Sequence, residues 1–167
     1  ISPNIVVSQV YGGGGNFGAT YKNDFIEIFN RGATAVSVNG WSVQYASASG
    51  STWQVTNLTG TIQAGQYYLV QEAAGTGGTT DLPTPDATGT IAMSATAGKV
   101  ALVNSTAGLS GTCPTGANII DFVGYGGANC SETAPTGILS NTTAAIRNSA
   151  GCTDTDNNFS DFTLAAP

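Results

Sequence analysis

Ten acidic side chains, four basic ones and no histidine limit what this chain can do chemically. Without histidine, neither a Ser-His-Asp nor a Cys-His nucleophilic arrangement can be assembled from its residues. Imidazole zinc ligation is excluded too, and Cys113, Cys130 and Cys152 lack CxxC spacing. The densest chemical signal is Asp154-Thr155-Asp156-Asn157-Asn158, with Asp161 three residues further on. Hard oxygen donors at alternate positions suit Ca²⁺. Asp154, Asp156, Asn158 and Asp161 are therefore candidate calcium ligands, and calcium is the one cofactor the sequence suggests. The competing reading is a run of Asx turns, in which these side chains cap their own backbone. The EF-hand pattern is not met, because no Gly stands sixth and no Glu twelfth.

Other constellations are weaker. Gly13 and Gly18 have the outer spacing of a phosphate-binding loop, but Ala19 stands where that motif needs Lys, and a strand follows. The glycines from Gly12 to Gly15 read instead as a flexible connection. Asp24 and Glu27 are close enough in sequence to suggest a carboxylate pair. Their odd spacing on a predicted strand puts them on opposite faces, so a structural role is expected. The three cysteines form an odd set, and in an oxidising compartment one pair should bridge. If the strands Asn118–Tyr125 and Ala144–Arg147 are antiparallel neighbours, Cys113 and Cys152 fall at the same end, so a Cys113–Cys152 bridge is expected. Asn-x-Ser/Thr sequons at Asn57, Asn104, Asn129, Asn141 and Asn158 matter only in a host that glycosylates exported protein.

Short β-rich runs separated by turn residues must position these groups. Ile5 to Tyr11 reads as a strand, followed by Asp24–Phe29. Val36–Val38 and Trp41–Tyr45 flank Asn39-Gly40, a two-residue hairpin signal. Trp41, Val43 and Tyr45 alternate with Ser42 and Gln44, the period of a half-buried strand. Further runs cover Thr52–Val55, Leu58–Ile62, Tyr67–Gln71, Lys99–Val103, Asn118–Tyr125 and Ala144–Arg147, with a Gly/Thr/Pro/Asp-rich loop from Ala73 to Thr88. No segment keeps a 3.6-residue apolar period. The expected fold is all-β, an antiparallel sandwich, in a single domain over residues 1–167. Residues 1–11 are expected to form a mobile N-terminal strand. Its assembly-competent residues are Ile5, Val6, Val7, Val10 and Tyr11, with the glycines after them as hinge.

Charged residues make up 8% of the chain, where about a quarter is usual. A net charge of −6 with four scattered basic residues gives nucleic-acid phosphates nothing to bind. No apolar run reaches membrane-spanning length. Ile1 reads as a mature N-terminus left after removal of a signal segment, which makes a secreted, cell-surface protein the expectation.

Three segments carry a family resemblance: Val7–Tyr11 before the glycines, Asn23-Asp24-Phe25-Ile26-Glu27-Ile28-Phe29-Asn30, and Val38-Asn39-Gly40-Trp41-Ser42-Val43. Ile120–Gly126 and Cys152–Asn158 extend it. The chain resembles bacterial lamin-tail domains over nearly its full length. The resemblance implies an immunoglobulin-like β-sandwich, export, and a module without catalysis of its own. Two functions are compatible with it. One is an extracellular structural protein that assembles with copies of itself into a surface filament, sheath or matrix, by sandwich packing or strand addition. Low charge favours this reading, because it lowers the desolvation cost of burying surface between subunits. The other is a targeting or binding module of a larger secreted enzyme such as an extracellular nuclease, with cell-surface polysaccharide as a possible partner.

Overall fold

The computed structural model describes residues 3–167. Among the described residues, twelve strands form two facing sheets and a small two-stranded ribbon. The larger sheet takes strands β1 (Ile5–Tyr11), β2 (Asn23–Asn30), β7 (Tyr67–Ala74), β8 (Ala87–Thr88), β11 (Ala144–Arg147) and β12 (Phe162–Ala165), in the order β12-β11-β1-β2-β7-β8. The smaller takes β4 (Ser42–Ser47), β5 (Gln54–Asn57), β9 (Gly98–Val103) and β10 (Ile119–Tyr125), in the order β10-β9-β4-β5. Strands β3 (Val36–Ser37) and β6 (Thr61–Ile62) pair with each other at one end. Apart from the short parallel β7–β8 contact, strand pairing within the sheets is antiparallel. This is the expected immunoglobulin-like sandwich.

Alternation along the strands builds the core. Val10, Ile26, Ile28, Tyr68 and Val70 of the larger sheet pack against Val43, Tyr45, Val100, Leu102, Val123 and Tyr125 of the smaller. The outer face of the smaller sheet is also covered. The loop after β9 lies over Ser42 and Gln44, and the Gln44 amide bonds Ala107 O and Leu109 N at 2.9 and 2.8 Å. A buried glutamine thus satisfies backbone that would otherwise lose water without replacement.

Three expectations change. β1 is not a mobile strand. It lies between β2 and β11, and Ile5, Val6, Val7, Val10 and Tyr11 are each at most 2% exposed. The first two residues of the 1–11 segment lie outside the described residues. The glycines after β1 are not a hinge: Gly12 to Gly15 are buried, and a Cβ on Gly14 would collide with the backbone of Asn23 and Asp24. Their role is close backbone approach rather than freedom. Third, Asn39-Gly40 makes a turn, with Gly40 at φ 78° and Trp41 N bonded to Val38 O, but no hairpin. β3 pairs with β6 while β4 pairs with β5 and β9, so this turn carries the chain between sheets.

Asp24 and Glu27 do face apart. The Glu27 carboxylate accepts from Ser8 Oγ at 2.7 Å. Asp24 is 4% exposed and accepts from Met93 N at 2.8 Å, while Glu72, 1% exposed, accepts from Ile91 N at 3.0 Å. Together they hold the irregular segment that leads into β9. Asp24 Oδ1 and Glu72 Oε1 are buried without a well-formed hydrogen bond, although the Gly14 N–H and the Thr56 hydroxyl act favourably on the two carboxylates. Burial pushes Asp24 up to about 7 and raises Glu72 as well. The native state therefore binds protons that the unfolded chain releases from about pH 4 upward. Their contribution is fully present below that point and is lost as pH rises. Thermal melts should show stability falling between about pH 4 and pH 7, and Asp24→Asn should flatten much of that slope.

Candidate functional site: a buried arginine among carboxylates

Arg147 ends β11 with its side chain fully buried. Nη2 meets Asp121 Oδ2 at 2.7 Å, Nε donates to Val7 O at 2.8 Å, and Nη1 donates to Thr153 O at 3.0 Å. Nη1 also lies 3.4 Å from Asp154 Oδ1 and 3.9 Å from Asp161 Oδ2, and the guanidinium stacks 4.5 Å from the Phe162 ring centre. Asp121, in the middle of β10, accepts from Val7 N at 2.6 Å and Phe122 N at 2.9 Å. Val7 therefore gives both of its backbone groups to this ion pair. β1 is irregular at this point: its register with β2 shifts between Val7 and Gln9, and its pairing with β11 starts at Gln9.

A second arginine closes the other side. Arg31 donates to Pro3 O and Cys152 O and pairs with Asp154 Oδ2 at 3.1 Å. The residues expected to hold calcium are spread over these tasks. Asp154 faces the two arginines. Asp161 folds back, accepting from Thr155 Oγ1 at 2.7 Å and from the backbone N–H of Thr155 and Asn157 at 2.8 and 3.2 Å. Asn158 is buried and works as a false strand along the free edge of β10: Oδ1 accepts from Gly124 N at 2.9 Å and Nδ2 donates to Phe122 O at 3.0 Å. Asp156 is exposed, and its N–H bonds Asp154 Oδ1 at 3.4 Å. In this geometry Asp154 and Asp161 accept from backbone N–H groups of their own segment and ion-pair with the arginines. The three carboxylates that do converge are Asp121, Glu132 and Asp154, with an oxygen of each within 4.8 Å of the others. Hard oxygens so placed have the chemistry for a divalent cation; here Arg147 bonds two of the three.

Sequence reasoning missed Asp121, Glu132, Arg31 and Arg147. The available signal was a charge inside an apolar run, Ile119-Ile120-Asp121-Phe122-Val123, in a chain that has few charges. A buried charge of this kind needs a partner.

The disulfide is Cys113–Cys130, which corrects the expected Cys113–Cys152 pair. β10 and β11 are not neighbours; they belong to different sheets. The loop after β10 folds back along that strand, with Thr136 N bonded to Gly124 O, and Cys130 comes 5.3 Å from Cys113 between Cα atoms. Cys152 is free and exposed. Next to the bridge, a depression is lined by Pro114, Thr115, Ile119, Phe122, both bridged cysteines and Glu132. Burial, together with Asp121 and Asp154, raises Glu132 to about 8.

Lys99 is fully buried at the same end of the smaller sheet. It donates to Gly50 O, Thr112 O and Asn129 Oδ1 at 2.8, 2.7 and 2.8 Å and lies 5.7 Å from the Trp53 ring centre. Burial lowers its pKa. No helix among the described residues is long and apolar enough to cross a membrane.

The family model described as Lamin Tail Domain matches residues 2–127. No curated protein matches the chain. Among solved structures, the crystal structure of a DUF4876 family protein from Bacteroides thetaiotaomicron VPI-5482 is similar over 100% of this chain and 72% of that one, with 13% identity and a TM-score of 0.68. That similarity is one of fold.

Two outcomes follow from this geometry. Arg147→Met leaves Asp121 buried without its counter-charge, and urea denaturation should show a loss of about 3–5 kcal/mol. Peptide mapping without reduction should find Cys113 joined to Cys130 and Cys152 open to alkylation. Reduction should remove about 2–4 kcal/mol of stability, as expected for a short closed loop.

Proposed function

Since the chain belongs to the lamin tail domain family, we propose that it is a non-catalytic extracellular module that packs against copies of itself in a surface filament, sheath or matrix. The observation that carries this reading is the location of its charge. Arg31, Arg147 and Lys99 are spent on internal contacts, as are Asp24, Glu72, Asp121, Asp154 and Asp161. Among the described residues, the exposed acids are Asp81, Asp86 and Asp156, and Lys22 already pairs with Asp81 at 3.0 Å. The surface is therefore more neutral than the composition suggests. Hydroxyls and amides dominate it, with Phe17, Ile138 and Phe159 standing out at 97%, 70% and 68% exposure. Such a surface has little like-charge repulsion to keep copies apart. With β1 locked inside the sheet, association runs through sandwich faces rather than through strand addition by β1.

The second reading, a targeting or binding module of a larger secreted enzyme such as a nuclease, is favoured by the depression beside Glu132, which offers a concave apolar wall with one carboxyl. Calcium and cell-surface polysaccharide remain proposed ligands within either reading.

Sedimentation over a wide concentration range separates the two. Self-association that strengthens with concentration and weakens when Ile138→Lys and Phe159→Lys add charge supports the first. A monomer at every concentration, with and without calcium, sinks it and favours the second.

A further inference from the structure

We propose that the depression between the Cys113–Cys130 bridge and Glu132 is a docking site for a lysine side chain of a partner polypeptide. It goes beyond the proposed function and holds whether or not the module self-associates.

The walls come first. Pro114, Ile119, Phe122 and the disulfide form an apolar trough with Glu132 among its lining residues. Glu132 Oε2 accepts from Asn158 Nδ2 at 3.1 Å, and among the described residues no hydrogen bond reaches Oε1. The site thus pairs an apolar track with one carboxyl group, whose Oε2 is the oxygen bonded to Asn158. A lysine has the complementary shape, a four-carbon stem carrying a compact ammonium.

Charge complementarity selects the ammonium. Asp121, Asp154 and Asp161 surround Arg147, Arg31 supplies one more cation, and Glu132 adds a fourth carboxyl to the group. Acid is in excess in the group that Glu132 joins to the trough. A divalent ion shared by Asp121, Glu132 and Asp154 would lie beside the Arg147 guanidinium, which bonds two of them. A single positive charge held by Glu132 alone reduces that repulsion. Arginine is the poorer fit, because its planar fork calls for two acceptors side by side.

Glu132 sits near Asp121 of β10, Arg147 of β11, and Asp154 and Asp156 of the loop before the short helix Asn158–Asp161.

The test uses the full, isotope-labelled chain and amide NMR. It is titrated with the blocked peptide Ala-Lys-Ala, with its norleucine counterpart, and with CaCl₂ alone. The expected result is saturable shifts centred on Ile119, Phe122 and Glu132 with the lysine peptide, in the millimolar range, and none with norleucine. Glu132→Gln should weaken binding at least tenfold. Thr115→Lys, at an exposed rim position, should block the trough in cis while leaving the fold unchanged. The proposal is overturned by any of four results: no saturable shift with the lysine peptide, equal shifts with norleucine, undiminished binding to either variant, or calcium saturating the same resonances in the micromolar range.

Discussion

The fold depends on the ion pair between Arg147 and Asp121. Each residue belongs to a different sheet, and Val7 of β1 bonds to both. Burying a guanidinium and a carboxylate is expensive, and apolar side chains could fill the same volume at least as stably. What the pair adds is direction. It tells β10 and β11 where to stand relative to β1, and Asp154 and Asp161 extend the same instruction to the segment between β11 and β12. Hydrophobic packing between two sheets is tolerant of sliding; a guanidinium with five directed donors is not.

Seen this way, the scarcity of charge has a different meaning. The chain does not merely lack charged residues; it has moved most of them inward. Arg31, Arg147 and Lys99 replace water at backbone carbonyls, and buried acids anchor backbone N–H groups. The interior is held by charge-assisted hydrogen bonds at irregular places, where sheet pairing cannot reach. The exterior is left to Thr, Ser, Asn and Gly. The same residues therefore give the fold its definition and the surface its neutrality.

Period-two patterning made most strands legible. β11 was read from Ala144 to Arg147, its actual bounds, and β9 and β10 within one residue. Pairing was less legible, because it depends on which strands the ion pairs and loops bring together. Asn39-Gly40 signalled a turn, but local sequence does not say whether a turn leads back to the same sheet. The Cys113–Cys130 bridge was missed for the same reason, since it rests on a loop folding back along β10. β12 was not anticipated at all: Phe162–Ala165 is short, and mainly exposed beyond Phe162. In the acidic segment, the residue types were read correctly as oxygen donors. Arg31 and Arg147, which turn them to structural use, lie far away in sequence or carry no local signature.

The position of β1 governs how the domain can be built. Its partners are β2, immediately downstream, and β11, near the other end of the chain. During synthesis, one side of β1 pairs early while the other remains open for more than a hundred residues. The larger sheet cannot close until β11 arrives, and the Val7 N–H and C=O wait for Asp121 and Arg147. Contacts so distant in sequence make folding slow and leave the transition to the end. The larger sheet is thus completed last at β1, the earliest of its strands in sequence, and a chain cut before β11 would present a β-rich edge with nothing to cover it.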